Sequence, residues 1–346
     1  MRHTYRILSI LALCAVTAVI WADSRKKQPS KAGPWNRIAA ITRPTGAELP
    51  DGESLLAAAR SRLLAHQSVS AQVRQRVQLF DRQLFGSGIY EQLAAVARPG
   101  ALPDLGAEQG RASRPLFRFE LDFQLEDRRR GFIQSSNGTT LWLYNNRGDE
   151  AQLQKVDLDR LTVALGEHGQ DVPLGGLPRL LADLDENFEF RTLGESKIKN
   201  ISIDETRIAD IDVWVVQGVW RKGRARRLSK NQDEGNSSAS PGIASFEPQV
   251  PHDVLLFIDR EQLFPYRIRY RRLELAKGDE SSQPRTLVEM ELFKVRFDEP
   301  VNRSLFDKPV NMQATDHTEA MSLRLAKRNS HRDENAASRR NAESPR

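Results

Sequence analysis

At 346 residues the chain is longer than an ordinary single domain, and its 39% hydrophobic and 7% aromatic residues are enough for one large core. Charged residues make up 28% and the mean hydropathy is negative, which excludes a multi-span membrane protein. A formal charge of +6 from 52 Lys and Arg against 46 Asp and Glu is small for this size, and no recognition motif accompanies it, so a nucleic-acid partner is not expected.

The chain opens with Arg2, His3 and Arg6, an unbroken apolar stretch Ile7 to Ala22, and then the charged patch Asp23 to Lys27. That order of basic, apolar and polar residues marks an export segment over residues 1–22, read either as a cleaved signal peptide or as a retained anchor. The lone cysteine, Cys14, lies inside this run, so the rest of the chain has neither an intramolecular disulfide nor a thiolate metal site. Residues 23–50 are rich in Pro, Gly, Lys and Ser without a sustained period and read as a flexible linker.

The body is expected over residues 51–317. It begins with a helix near Glu53 to His66, where Asp51 caps the start and Leu55, Leu56, Ala59, Leu63 and Leu64 form an apolar stripe. The period then changes to two. Val69, Ala71, Val73, Val77 and Leu79 alternate with polar residues, and Phe117, Phe119, Leu121, Phe123 and Leu125 alternate with Arg118, Glu120, Asp122 and Gln124. Further strands are expected at Gly131 to Ser136, Thr139 to Asn145 and Ala151 to Val156, joined by turns such as Asn137-Gly138. A helical interlude covers Asp157 to Leu165 and Leu177 to Leu184. Strands follow near Asn187 to Leu193, Asn200 to Arg207, Ile211 to Arg221, Val254 to Asp259, Tyr266 to Leu273 and Thr286 to Phe297, interrupted by a polar insertion at 222–249. Residues 318–346 read as a disordered basic tail, since Ser322 to Arg346 has few large apolar residues beyond Leu323 and Leu325.

The chemistry of catalysis is not written in this pattern. The six histidines are scattered, and there is no His-Glu-x-x-His motif, no Gly-x-Ser-x-Gly elbow and no phosphate-cradling loop. No enzyme activity, metal or cofactor is therefore expected. Arg267, Arg269, Arg271 and Arg272, with Arg221, Lys222, Arg224, Arg226 and Arg227, form a basic cluster that would suit a membrane surface or an ordinary exposed sheet face. The inward aromatics of the Phe117 strand either fill the core or line a ligand cavity.

Two stretches carry a family resemblance. Ser136-Asn137-Gly138-Thr139-Thr140-Leu141-Trp142-Leu143-Tyr144-Asn145 resembles the Ser-x-Gly-x-x-Leu-Trp-x-Tyr hairpin of the LolA family of periplasmic lipoprotein carriers, which also takes in LolB-like and related lipid-binding proteins. Upstream, Arg114-Pro115-Leu116-Phe117-Arg118-Phe119 is similar to that family's Arg-Pro followed by an aromatic-x-aromatic strand, and looser likenesses extend from Leu55 to Pro309, among them Gly175 to Pro178 and Leu263-Phe264-Pro265. The resemblance implies a mainly β fold, a curved antiparallel sheet forming an unclosed β-barrel with a helical lid over an apolar cavity. It also implies a non-enzymatic envelope protein that holds acyl chains of a lipid or acylated lipoprotein, in the periplasm or anchored to the inner membrane. By the same resemblance Phe117, Phe119, Leu121, Phe123, Trp142 and Tyr144 would line the cavity, and Arg114 would hold the lid closed through hydrogen bonds to helix backbone. The insertion, the tail and a retained anchor depart from a dedicated carrier and leave open an anchored envelope sensor or protein-interaction module on the same fold. Oligomeric state is not legible.

Overall fold

Two-residue alternation carried through segment after segment builds a single sheet. The computed structural model describes residues 41–42, 48–79, 82–94, 114–125, 128–146, 150–166, 175–201, 208–222, 250–275 and 282–326. The export segment 1–22, nearly all of the linker 23–50, residues 223–249 of the insertion and 327–346 of the tail lie outside the described residues. Within them, helix α1 (Gly52–Ala65) leads into strands β1 (Ser68–Leu79), β2 (Arg82–Leu93), β3 (Leu116–Leu125), β4 (Arg128–Ser136), β5 (Thr140–Asn146) and β6 (Ala151–Asp157). Helices α2 (Leu158–Leu165) and α3 (Gly176–Asn187) follow. Strands β7 (Phe188–Ile201), β8 (Ile208–Trp220), β9 (Asp253–Asp259), β10 (Pro265–Leu275) and β11 (Ser282–Phe297), a short 3-10 helix (Arg303–Phe306) and the two-residue β12 (Thr315–Asp316) complete the series.

The twelve strands lie in the order β12-β6-β5-β4-β3-β2-β1-β11-β10-β9-β8-β7. The strand ladders are antiparallel apart from the parallel pairing of β12 with β6. Among the described residues no ladder joins β12 to β7, so the barrel is unclosed. The expected mainly β class, an unclosed antiparallel barrel with helices, is the observed one.

Helix α1 starts where Asp51 accepts a hydrogen bond from the Ser54 backbone N–H at 2.9 Å, and Leu55, Leu56, Ala59 and Leu63 of the expected stripe are buried, whereas Leu64 is 44% exposed. The same core takes Leu177, Leu180, Leu181 and Leu184 of α3 and the alternate residues Val69, Ala71, Val73 and Val77 of β1. One face of the sheet, here the inner face, thus carries the helices.

Three elements differ from the sequence expectation. Strand β2 was not foreseen, because Gly86-Ser87-Gly88 has the composition of a turn. Its glycines serve close packing instead: a Cβ on Gly86 would lie 2.7 Å from the Phe123 ring. Strand β7 runs unbroken through Gly194, where a bulge and a φ of 156° replace the expected interruption. Finally, the tail assigned to 318–346 is not unstructured from its start, since residues 318–326 are helical and Leu325 is buried.

Candidate functional site

Strand β3 presents Phe117, Phe119, Leu121 and Phe123 to the inner face, all buried. Directly paired residues of antiparallel strands share a face, so the ladders identify their neighbours. One inner row runs Gln92, Phe117, Ser136, Leu141 and Val156 across β2 to β6. The next runs Tyr90, Phe119, Gln134, Leu143 and Gln154. Leu141 and Leu143, not Trp142 and Tyr144, therefore stand beside the phenylalanines. Trp142 pairs with Ser135 and Lys155, and Tyr144 with Ile133 and Leu153, on the opposite face. There the 3-10 helix is seated: Ser135 Oγ donates to the Phe306 carbonyl at 3.0 Å, Arg118 donates to the Leu305 carbonyl at 3.2 Å, and Phe306 is fully buried. The expectation that Trp142 and Tyr144 line the inner space is corrected by this register, which the motif alone does not fix.

The inner apolar residues fall into two groups. Phe119, Leu121 and Phe123 belong to the main core with α1 and α3. Phe117 joins Leu141, Val156, Leu158, Leu161, Leu165 and Leu325 in a separate cluster under α2. The first turn of α3 forms the partition between them: Gly175 has no room for a side chain, since a Cβ there would come within 2.0 Å of the Phe117 ring.

Helix α2 is held by polar bonds at its exposed side. Asp157 caps its first turn by accepting from the Asp159 and Arg160 N–H groups at 3.0 and 2.9 Å. Arg114, just ahead of β3, donates to the Gly138 carbonyl at 3.2 Å, to Asp159 Oδ1 at 2.9 Å and to Thr162 Oγ1 at 2.5 Å. The guanidinium thereby ties the β4–β5 turn to two side chains of α2, whereas the resemblance implied bonds to helix backbone. The turn itself follows from its sequence. Asn137 Oδ1 accepts from the Thr139 and Thr140 N–H groups at 3.1 and 2.9 Å, and Gly138 takes the positive φ of 88° that the bend requires.

Sequence reasoning missed Tyr90 and Gln92. The Tyr90 hydroxyl donates to Gln92 Oε1 at 2.5 Å, and Gln92 Nε2 donates to the Leu63 carbonyl at 2.8 Å, so a buried polar chain joins β2 to the end of α1. Burial pushes the Tyr90 hydroxyl pKa up and keeps it a donor. No periodicity signals such a chain.

Four described members of the basic cluster are drawn into ion pairs. Arg267 is fully buried and donates to Glu291 at 3.0 Å, Arg269 bonds Glu289 at 2.5 Å, Arg271 bonds Asp253 at 2.8 Å, and Arg221 reaches Glu53 at 2.9 Å. The strand arginines are matched by carboxylates on the neighbouring strands, a pairing that one strand's alternation cannot reveal. Arg224, Arg226 and Arg227 lie outside the described residues.

Helix α3 itself carries a buried carboxylate, Asp183, 2% exposed. Burial pushes Asp183 of α3 up to about 6, partly offset by Arg179 at 2.8 Å. A carboxyl whose folded-state pKa exceeds its unfolded value lowers stability wherever it is ionised. That loss is complete above about 6 and disappears below 3.8. Asp183→Asn is therefore expected to raise unfolding stability by about 1 to 2 kcal/mol at pH 7.5. That advantage over the unsubstituted protein should shrink as pH falls from 7.5 to 4, in urea melts of both proteins across that range.

The chain matches no protein-family model, and it matches no curated protein. Solved structures do match it. A putative outer membrane lipoprotein-sorting protein domain from Vibrio parahaemolyticus aligns at 11% identity and TM-score 0.29 over 74% of this chain and 96% of that one. The MucA/MucB complex of Pseudomonas aeruginosa aligns at 11% and TM-score 0.35, over 76% of this chain and 62% of that one. The LolA superfamily protein NE2245 from Nitrosomonas europaea aligns at 12% and TM-score 0.26, over 75% and 99%. In its strand order and in the helices on its inner face, the chain has the unclosed barrel with a helical cover that the resemblance to the LolA family implies.

Proposed function

We propose that the protein is a non-enzymatic envelope module that binds an amphiphile, holding acyl chains of a lipid or acylated lipoprotein between α2 and the inner face of β3 to β6. The observation that carries this reading is the division of the inner face: α2 covers its own apolar cluster and is fastened by Arg114, so it can swing away while the main core stays packed. Each acyl methylene transferred from water into such a cluster is worth about 0.8 kcal/mol, so no catalytic group is needed to gain affinity. Residues 1–22 would deliver the chain across the inner membrane and either be removed or hold the body there. Arg114 would act as the fastening of the lid.

The test is titration of the full chain with a fluorescent long-chain fatty acid, together with extraction of any lipid that copurifies from a bacterial envelope. Saturable binding is expected, and Phe117→Glu should reduce it by about 100-fold or more, because a buried carboxylate would face the chain. A folded protein that neither carries lipid nor takes up the probe would leave the fold as a scaffold for protein contacts and end the lipid reading.

A further inference from the structure

The small apolar cluster is closed by a segment that lies outside α2 and joins the sheet only through the two-residue strand β12. After the 3-10 helix the chain crosses to the free edge of β6, where Thr315 and Asp316 pair in parallel with Gln154 and Lys155. Three further bonds fix it there. The His317 N–H donates to the Lys155 carbonyl at 2.8 Å, the Asp157 N–H donates to Thr318 Oγ1 at 2.9 Å, and Asp316 pairs with Arg160 of α2 at 3.4 Å. Asp316 Oδ1 then accepts from the Thr318 N–H at 2.9 Å and caps the helical residues 318–326. That helix delivers Leu325, 8% exposed, into the cluster of Phe117, Leu141, Val156, Leu161 and Leu165, with Met321 packed beside it.

We infer that residues 315–326 are an intramolecular latch: Leu325 and Met321 occupy the apolar position over β5, β6 and α2 that an acyl chain would take, so latch and ligand exclude one another. The inference rests on the acyl-chain reading of the same cluster and names what regulates it. The latch grips α2 at two points that Arg114 does not reach, the cap residue Asp157 and the neighbouring Arg160. Releasing it loosens the lid and empties the site in one movement. Its construction also suits reversible release. It joins the sheet by a two-residue strand and inserts one buried leucine, while the main core needs neither. Whatever draws the chain beyond residue 326 away from the body would thereby open the site, and a protein closed by its own chain binds ligand more weakly in proportion to the closed fraction.

The experiment compares the full chain with Met321→Ser/Leu325→Ser and, separately, with Asp316→Ala, which removes the cap and the Arg160 bond without touching the cluster. Binding of the fluorescent long-chain fatty acid is titrated, and hydrogen exchange is followed at the α2 amides. Both variants are expected to bind the probe about tenfold more tightly and to exchange faster in α2, with exchange in β9 to β11 unchanged. In the unsubstituted chain, saturating probe should speed exchange over 318–326. Probe binding that is unchanged or weaker in both variants, alongside clear binding by the unsubstituted chain, overturns the latch and leaves the acyl-chain reading in place. No binding by any of the three proteins removes both.

Discussion

Replacing Glu289 by alanine is expected to lower unfolding stability by about 3 to 5 kcal/mol, near the largest effect a single substitution has here. Glu289 stands on the outer face of β11, 2% exposed, between Arg76 of β1 at 2.6 Å and Arg269 of β10 at 2.5 Å, with Arg267 Nε at 3.5 Å. Burial alone would raise its carboxyl, yet Arg269, Arg267 and Arg76 together hold it below the usual carboxylate range. Removing the anion leaves Arg267 and Arg269 desolvated against Phe257 with less compensation, and that penalty, not the loss of one bond, sets the size of the effect. A folded pKa held below the unfolded value contributes stability that is present above about pH 4.5 and is lost as pH falls through the folded value. The gap between Glu289→Ala and the unsubstituted chain should therefore narrow in acid. Urea melts at pH 7 and pH 3 check both points. Glu195→Ala supplies the contrast: its bond to Arg260 joins two partly exposed groups and is expected to shift stability by no more than about 0.5 kcal/mol. A loss under about 1 kcal/mol for Glu289→Ala would show that the arginines find water or other partners.

How much of this was legible in the sequence depends on whether the signal was local. Alternation on β1 and β3 and the stripe of α1 are local, and each is where the sequence places it, down to the cap at Asp51, apart from Leu64, which faces solvent. The motif around Asn137-Gly138 is local too, and its turn forms with the expected glycine geometry. Facing is not local. Trp142 and Leu141 are adjacent, so one must point each way, and only the register through Ser136 to Phe117 decides which. Ion pairing across strands is likewise invisible to a reading along one strand, which is why the arginines of β10 read as a free cluster. Residues 318–326 escaped notice because a short amphipathic helix gains its stability from the surface that receives it, and Leu323 and Leu325 alone give no period.

Phe123→Ala is expected to lower unfolding stability by about 3 to 5 kcal/mol, the usual range for an aromatic removed from a packed core. Phe123 is fully buried and its ring lies where a Cβ on Gly86 would sit, 2.7 Å away, so strand β2 has given up a side chain to receive it. Gly86→Ala alone should then destabilise by about 1 to 3 kcal/mol through overpacking, even though alanine is the better residue for an ordinary strand. The two losses share one volume and cannot add. In the double variant Gly86→Ala/Phe123→Ala the new methyl group enters space vacated by the ring, and total destabilisation should fall short of the sum by about 1 to 2 kcal/mol. Chemical denaturation of the four proteins measures the coupling directly. The result also bears on the inner face as a whole: a strong coupling means that Phe123 is structural filling locked against its own strand, so the adaptable part of that face is confined to Phe117 and the residues under α2. Additive losses would instead mean that β2 and β3 relax independently, and then the ring of Phe123 would be as free to admit a ligand as that of Phe117.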